Sequence, residues 1–375
     1  MHIVDTTMFY APQSGGVKRY LLAKRQWLAK QDDVRHTLLV PGGADTPSEP
    51  GIVRMAALPL PFTGGYRFPL RQQPWRRQLL ALEPDLIEAA DPYCVPWAAK
   101  AAAQALGVPA IAFHHSDVSR LLSARVGSWA MRPIGRYLRA LYQDFDVVLA
   151  PSRVILDKLE AAGVYHTRLQ PLGVDAELFH PGRADPALRR ELGLPPGTRL
   201  LVFAGRFSKE KNIPALFDAF RRLGPKYHLL LIGGSRRRRV GNVTQLPYQG
   251  GGQQLARYLA SADAMVHAGD AETFGLVMAE AMACGLPVVG VDCGAVPELI
   301  DSSVGELVPR ATGAALAEGV QALFERDVAA VGRLARRRVE QRYSWDQVLG
   351  GLLALYRQLA GKAEATAGGR QRVAL

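Results

Sequence analysis

Short apolar runs alternate along the chain with longer stretches in which apolar residues recur every three or four positions. The short runs have the length of buried strands, and the longer stretches have the period of amphipathic helices. The strands predicted in the first half are His2–Thr7, His36–Val40, Asp85–Ala89, Ala110–His114, Val147–Ala150 and Leu169–Leu172. Those predicted in the second half are Leu200–Ala204, His228–Ile232, Ala264–His267, Pro287–Val291 and Glu306–Val308. The clearest helices are Val17–Ala29, Ile213–Leu223 and Gln253–Ser261.

This alternation predicts an α/β fold in which parallel sheets carry helices on both faces. The chain has 375 residues, more than one hydrophobic core usually holds, so two domains are expected. Turn-rich segments at Phe179–Gly182 and Leu194–Gly197 precede a new strand and mark the boundary. We therefore predict two Rossmann-like, doubly wound domains that face a central cleft, over residues 1–178 and 179–343. A flexible tail is expected over residues 361–375.

Charge and composition narrow the functional classes. The 46 Lys and Arg residues exceed the 34 Asp and Glu residues and give a formal net charge of +12, which favours anionic partners. No apolar run approaches the roughly 20 residues of a membrane span, and no leader precedes the first strand, so a cytoplasmic protein is expected. The three scattered cysteines fit neither a disulfide framework nor a zinc site.

The strand-to-helix junction at residues 205–212 joins positive charge to free backbone amides. Gly205 ends a predicted strand, and Arg206 and Lys211 lie between it and the helix that begins near Ile213. Phosphates bind at such junctions through the N–H groups of the helix N-terminus and through added cations. The junction is therefore a candidate diphosphate site, with two solvated surface cations as the alternative.

Two loops of the first domain follow predicted strands and carry further candidates. Gly15 and Gly16 let a ligand approach the backbone closely, although a plain turn explains the pair equally well. His114, His115 and Asp117 end another strand, where a histidine can act as acid, base or hydrogen-bond donor. Adjacent strand residues point to opposite faces, so the two histidines are a poor pair for one metal ion.

One charged residue lies in an otherwise apolar helix near residue 280. Glu280 is that residue, and Glu272 lies eight positions upstream, before the helix begins. At about 100° per residue the two carboxylates are separated along the helix axis, so they can hold different parts of one ligand. Carboxylates accept hydrogen bonds and therefore suit hydroxyl groups. A salt bridge from Glu280 to an arginine is the alternative.

Together and in this order, the motifs resemble the retaining glycosyltransferases of family 4, which have the two-Rossmann GT-B fold. The resemblance covers nearly the whole chain. Further matching segments are Leu149–Ser152, Pro171–Asp175, Gly294–Ile300 and Tyr343–Asp346. Alanine replaces the family's second glycine at Ala295. The last segment and the helix after it, over about residues 344–360, resemble the family's closing helix, which packs back on the first domain.

The resemblance implies transfer of a sugar from a nucleotide-diphosphate sugar to an acceptor hydroxyl, with retention at the anomeric carbon. The implied pathway is cell-envelope polysaccharide, lipopolysaccharide or glycolipid synthesis, with a sugar or lipid-linked acceptor. The implied catalytic residues are His115, Arg206, Lys211 and Glu272. The implied donor-binding residues are Gly15, Gly16, Gly205, Arg206, Lys211, Thr273, Phe274, Gly275, Leu276 and Glu280, with Glu280 on the ribose. His114, Asp117 and Arg120 are candidate acceptor or sugar contacts. Neither a metal nor a cofactor is implied beyond the donor itself.

Four segments leave other interpretations open. Asp144–Asp146 matches an Asp-x-Asp metal signature but precedes a strand, so we interpret it as a strand-entry turn. The run Arg236–Arg239 either holds phosphate or anionic lipid or is a solvated loop. Basic, aromatic stretches at Arg71–Leu80 and Arg120–Arg139 fit peripheral binding to an anionic membrane surface, or core helices with solvated arginines.

Other protein classes fit less well. A Rossmann oxidoreductase would need a GxGxxG segment with a following acidic residue, which the chain lacks. Nucleic acid is not expected as a partner, because the candidate phosphate-binding residues lie at strand ends and not along one basic face. A nucleotide-sugar epimerase or phosphorylase on the same fold remains an alternative.

Overall fold

The computed structural model describes residues 1–11, 15–43, 49–61, 65–117, 131–249 and 252–373. The chain forms two compact units. Unit 1 comprises Met1–Pro171 and Val348–Leu375, and unit 2 comprises Leu172–Gln347. The sequence places the boundary at 178, whereas the structure places it at Pro171. Val174 accounts for part of the difference, because its N–H donates to the Tyr343 carbonyl of unit 2 at 2.6 Å.

Unit 1 is built on a parallel sheet. Its strands are β1 (His2–Thr6), β2 (Arg35–Gly42), β3 (Ile52–Ala56), β4 (Leu58–Pro59), β5 (Arg67–Phe68), β6 (Leu86–Ala89), β7 (Ala110–Phe113), β8 (Val147–Ala150) and β9 (Thr167–Leu169). The main sheet has the order β3-β2-β1-β6-β7-β8-β9, and β4 and β5 form a separate antiparallel pair. The described helices that precede the boundary are α1 (Gly16–Leu28), α2 (Gln73–Leu82), α3 (Val95–Leu106), α4 (Met131–Tyr142) and α5 (Arg153–Ala161).

The central strands of unit 1 are buried along their length because helices cover both faces of the sheet. Trp75 of α2 is 1% exposed and packs in this core with Leu79. The sequence had offered Trp75 as part of a basic membrane-facing stretch, and its burial contradicts that interpretation for this side chain. The ring of Trp75 therefore belongs to the core, whereas Arg71 and Arg77 of the same stretch are exposed.

Unit 2 repeats the plan. Its strands are β10 (Arg199–Ala204), β11 (Tyr227–Gly234), β12 (Arg238–Val240), β13 (Val243–Pro247), β14 (Ala264–His267), β15 (Val288–Val291) and β16 (Gly305–Val308). The sheet order is β12-β13-β11-β10-β14-β15-β16, and β12 alone is antiparallel to its neighbour. The described helices are α6 (Ala187–Glu191), α7 (Ile213–Leu223), α8 (Gly252–Ala260), α9 (Leu276–Ala283), α10 (Val296–Leu299), α11 (Gly313–Phe324) and α12 (Val328–Arg342). The predicted α/β class with two Rossmann-like, parallel-sheet domains is confirmed.

The arginine run of unit 2 lies partly in a strand, because Arg238 and Arg239 belong to β12, and the side chains from Arg236 to Arg239 are all exposed. Arg239 lies in β12, which pairs with β13 at the edge of the sheet. Its guanidinium donates to the Leu192 carbonyl at 2.9 Å, and Arg237 donates to the Glu191 carbonyl at 3.2 Å. These carbonyls end α6, so alternate arginines of the run fasten the edge hairpin to that helix.

The last helix is longer than predicted. α13 (Trp345–Val373) continues past residue 360, through the segment for which the sequence predicted a flexible tail. Residues 361–373 include Ala, Lys, Glu, Gln and Arg, which are strong helix formers, together with three glycines that each cost about 1 kcal/mol. Among the described residues, no helix is both long and apolar enough to cross a membrane.

Candidate active site

The carboxyl edge of the unit 2 sheet gathers an ion pair and a histidine. Lys211 ends a short 3-10 turn before α7, and its ammonium donates to Oε1 of Glu272. His267, the last residue of β14, places Nε2 3.1 Å from the same oxygen. The Gly269 N–H donates to Nδ1 of His267, which leaves the ring proton on Nε2, facing the carboxylate. The end of β14 and the turn before α7 therefore converge on Glu272.

Glu272 is held in its ionised form. Burial alone would favour the neutral acid, but the charge of Lys211 and the contact with His267 outweigh it. They lower the pKa of the Glu272 carboxyl well below its ordinary value. Its side chain is 14% exposed and that of Lys211 is 19% exposed, so the pair can be reached from solvent. A partly buried carboxylate beside an ammonium group suits a ligand that carries both negative charge and hydroxyl groups.

Glycines bring backbone close together around this cluster. A Cβ atom at Gly233, where φ is +130°, would lie 1.8 Å from the Gly205 carbonyl oxygen, so the ends of β10 and β11 meet without side chains. A Cβ at Gly294, with φ +60°, would lie 2.8 Å from the carbonyl oxygen of Glu272. Only glycine adopts these conformations without strain. The close packing of backbone within unit 2 therefore requires glycine at both positions.

Ala295, which replaces the second glycine of the family segment, has an ordinary backbone conformation. Its φ is −83°, an ordinary value for a residue with a side chain. Its N–H donates to the Glu272 carbonyl at 3.0 Å. The Ala295 N–H therefore supports the backbone of Glu272, whereas the close approach to that backbone is made at Gly294.

Arg206 differs from Lys211 in its surroundings, although both precede α7. Its side chain is exposed. Its charge still reaches Glu210, whose pKa is lowered, against the effect of burial, by a hydrogen bond from Ser208 and by the charges of Lys211 and Arg206. An exposed guanidinium in this position can bind an anion without first breaking an ion pair with a carboxylate.

Helix α9 buries Glu280 as the sequence suggested. Every residue from Met278 to Ala283 is buried, and Glu280 is 2% exposed. Gly275 caps the helix with φ +92°. Thr273 and Leu276, which flank that cap, are half-buried, and Phe274 packs edge-on against Tyr343 with ring centroids 5.6 Å apart. The phenyl ring of Phe274 therefore has a core role, which leaves its backbone amide as the group near the helix N-terminus.

In unit 1 the predicted histidines diverge, as expected for adjacent residues of an extended segment. The His114 ring bonds through Nδ1 to the Tyr142 hydroxyl at 2.9 Å. The His115 ring stacks on Phe113 at 3.9 Å and lies 5.2 Å from Tyr20 of α1. Burial lowers the pKa of His114 to about 4 and, with the charge of Lys24 as a smaller cause, that of His115 to about 3. Both imidazoles are therefore neutral near pH 7.

The remaining unit 1 candidates lie nearer solvent. Gly15 caps α1, and a Cβ added there would meet no described atom within 4 Å, so packing within unit 1 does not require a glycine. Gly16 is the first residue of the helix. Asp117 accepts a hydrogen bond from Lys158 at 2.5 Å. Arg120 lies outside the described residues.

Unit 1 also contains a buried charge cluster that was not predicted from the sequence. Lys24 of α1 donates to Asp5 and to Glu88, each at 2.9 Å, and to the Tyr356 hydroxyl at 2.6 Å. The Tyr356 hydroxyl in turn donates to Glu88. His36 places Nε2 3.0 Å from the second oxygen of Asp5. The signal in the sequence was a single acid inside each of two apolar strands, HIVDT and LIEA.

The pKa values of this cluster follow from its charges. Burial opposes ionisation of Asp5, but Lys24 and His36 outweigh it and hold the pKa of Asp5 at about 2. Burial raises the pKa of Glu88, and the charge of Lys24 does not offset this. The pKa of Lys24 is raised because its two carboxylates outweigh the effect of burial. The cluster thus joins α1 and two central strands by ion pairs, and α13 by the hydrogen bonds of Tyr356.

The Asp-x-Asp segment lies at the entry to β8. Asp146 accepts the Ala110 N–H at 2.8 Å, and Asp144 pairs with Lys100 at 2.9 Å. Phe145 between them is buried. Each carboxylate therefore ties a neighbouring element to the turn, consistent with its interpretation as a strand-entry turn.

Comparison with known proteins agrees with this geometry. The family model "Glycosyltransferase Family 4" matches residues 14–178, and "Glycosyl transferases group 1" matches residues 184–344. A GDP-mannose-dependent alpha-mannosyltransferase of Mycobacterium tuberculosis (strain CDC 1551 / Oshkosh) is 31% identical over 300 residues, which cover 76% of each chain. A GDP-mannose-dependent alpha-(1-6)-phosphatidylinositol dimannoside mannosyltransferase of strain ATCC 25177 / H37Ra is 29% identical, over 94% of this chain and 95% of that relative.

Solved structures share the fold. Sucrose-phosphate synthase from Thermosynechococcus elongatus superposes with a TM-score of 0.78 at 22% identity, over 96% of this chain and 99% of that chain. HepE from Anabaena, in complex with UDP and glucose, gives a TM-score of 0.75 at 19% identity, over 96% of this chain and 100% of that chain. The protein is therefore a glycosyltransferase with two Rossmann-like units. It belongs to the group 1 glycosyltransferases of family 4.

Proposed function

We propose that the protein transfers mannose from GDP-mannose to a hydroxyl of a lipid-linked or envelope acceptor, with retention at the anomeric carbon. The donor follows from the two mycobacterial relatives described above, whose names specify GDP-mannose. The acceptor class follows from the second of them, a phosphatidylinositol dimannoside mannosyltransferase that aligns over almost the whole chain. Unit 2 would bind the donor and unit 1 the acceptor.

The observation that carries the proposal is the convergence of Lys211, Glu272 and His267 at the carboxyl edge of the unit 2 sheet. A nucleoside diphosphate sugar offers two negative phosphates and a ring of hydroxyls. The phosphates would draw Lys211 and the exposed Arg206, and Glu272 would then accept hydrogen bonds from the sugar. Glu280, inside α9, would bind the ribose hydroxyls.

In the proposed reaction the acceptor oxygen forms a bond to the anomeric carbon on the face from which GDP departs. The bond from that carbon to the β-phosphate oxygen breaks, and the departing phosphate takes the acceptor proton. Arg206 and Lys211 stabilise the negative charge that develops on GDP, and the amides of Gly16, Phe274 and Gly275 assist. His115, neutral at pH 7, would position the sugar by hydrogen bonding and not by charge. No metal takes part.

Product analysis tests the reaction. The purified enzyme would be incubated with GDP-mannose, UDP-glucose and ADP-glucose, with and without a phosphatidylinositol mannoside acceptor. We expect acceptor-dependent release of GDP, an α-anomeric product by NMR, and unchanged rates in EDTA. A β-anomer would contradict retention, and sugar interconversion without acceptor would instead support an epimerase.

A pair of glutamate variants tests the donor site. GDP should raise the melting temperature of the wild type, and Glu280→Gln should abolish that rise. Glu318→Gln is the matched control, because Glu318 is exposed on α11. An equal rise in wild type and Glu280→Gln would show that Glu280 does not bind the nucleotide.

A further inference from the structure

A short hairpin in unit 1 presents large apolar side chains to solvent. The antiparallel pairing of β4 and β5 places Leu58 directly opposite Phe68, so both side chains lie on one face. Leu58 is 54% exposed, Phe68 is 36% exposed, and Leu70, two residues further on, is 71% exposed. Scattered exposed apolar residues are ordinary, but a group of them on one small element marks an interaction surface.

The base of the hairpin is fixed to unit 1. The Tyr66 ring lies edge-on to Phe9 with centroids 6.1 Å apart, and the Arg67 guanidinium donates to the Ala57 carbonyl at 2.9 Å. Pro69 is buried, and its carbonyl accepts the Cys94 thiol at 3.7 Å. The exposed side chains are therefore carried on an anchored element.

The hairpin lies at the functional edge of its sheet. β3 ends at Ala56, and the hairpin begins two residues later, so it leaves the sheet at the carboxyl ends of the parallel strands. Gly15 and His115 follow other strands of the same sheet at the same edge. Ligands of such sheets bind at this edge.

The charge around the hairpin indicates what covers it. Residues 50–82 contain five arginines and no acidic residue. Arg71 and Arg77 are exposed immediately after the hairpin. Apolar side chains bordered by guanidinium groups match the interface of an anionic bilayer, where acyl chains receive the apolar groups and phosphates receive the cations.

We infer that the β4–β5 hairpin docks unit 1 on an anionic membrane surface. Leu58, Phe68 and Leu70 enter the lipid interface, and the neighbouring arginines contact the headgroups. The inference deepens the proposed function, because a lipid-linked acceptor would be presented at the same edge. Membrane binding itself needs neither donor nor acceptor, so it can be measured separately.

Vesicle co-sedimentation tests the inference. Wild type would be mixed with phosphatidylcholine vesicles and with vesicles that also contain phosphatidylglycerol. We expect binding to the anionic vesicles alone, and about a tenfold or greater loss of partitioning for Leu58→Ser/Leu70→Ser, since each leucine loses apolar burial in the lipid. Leu334→Ser and Tyr165→Ser are matched controls, because these side chains are 43% and 67% exposed elsewhere, and they should bind as wild type does.

A second measurement places the hairpin in the lipid. Leu70→Trp should add fluorescence that shifts to shorter wavelength with anionic vesicles, relative to wild type. Absence of wild-type binding to anionic vesicles, or an equal loss in Leu334→Ser, would overturn the inference. A dimer in sedimentation velocity that the hairpin variant loses would show instead that a second copy covers this surface. The GDP-induced melting shift, measured on the same variants, reports the proposed function independently of lipid binding.

Discussion

The two units place their charges in opposite ways on similar sheets. In unit 2 the ion pair of Lys211 and Glu272 lies at the strand ends and is partly open to solvent. In unit 1 the ion pairs of Lys24 lie inside the fold, with each partner at most 1% exposed. The histidines at the strand ends of unit 1 are neutral. In the proposed function unit 2 would use its charge to bind the anionic donor, whereas the charges of unit 1 hold its own elements together.

The largest effect on stability is expected inside unit 1. Lys24→Met leaves Asp5 and Glu88 buried without their shared cation, so the free energy of unfolding should fall by about 3–5 kcal/mol. Urea denaturation with circular dichroism measures it. Stability equal to wild type would show that the buried cluster does not hold the unit together.

Activity should respond most strongly to the open ion pair of unit 2. Lys211→Ala removes a cation from the leaving diphosphate, so kcat/KM for GDP release should fall about 100- to 1000-fold. The free energy of unfolding should also fall, because Glu272 is only 14% exposed and would lose its cation, so kcat/KM is measured at a temperature where the variant is folded. Lys209→Ala, in the same short turn but exposed, is the control and should retain activity. Equal losses in both variants would argue against a specific role for Lys211.

Removing one hydroxyl should weaken the attachment of α13 to unit 1. Tyr356→Phe deprives Glu88 of a donor and Lys24 of an acceptor, so the unfolding free energy should fall by about 1–3 kcal/mol. Tyr165→Phe, at an exposed position, should be neutral. Equal urea midpoints for wild type and Tyr356→Phe would show that the charge cluster does not stabilise the attachment of α13 to unit 1.

The smallest effect concerns acid pH. His115 has a lowered pKa in the folded state, so below the ordinary histidine value the unfolded chain binds a proton that the folded chain does not. Stability should therefore fall as pH drops from about 6.5, by about 1.4 kcal/mol per pH unit for this residue. His115→Phe should remove that slope from the difference between unfolding measurements near pH 6 and pH 5. Identical slopes would mean that His115 is protonated in the fold.

The local spacing of apolar residues predicted much of the scaffold, because the periods of strands and helices repeat within a few neighbouring residues. Ile213–Leu223 has the predicted bounds in the structure, and Ala264–His267 and Val147–Ala150 do as well. The strand β12 was not predicted, because Arg238 and Arg239 show no strand-like pattern. They form a strand only through pairing with β13. The hairpin of β4 and β5 was missed for the same reason, since its strands have two residues each.

The sequence by itself determined the α/β class, the two Rossmann-like units and the loops that hold Gly15, Lys211 and Glu272, because these follow from local periodicity and motif spacing. Only the tertiary structure showed that His267 faces Glu272 and that Lys24 is shared between two acids on neighbouring strands. Such pairings join residues distant in sequence. They depend on strand order and side-chain burial, which no single segment of the chain specifies.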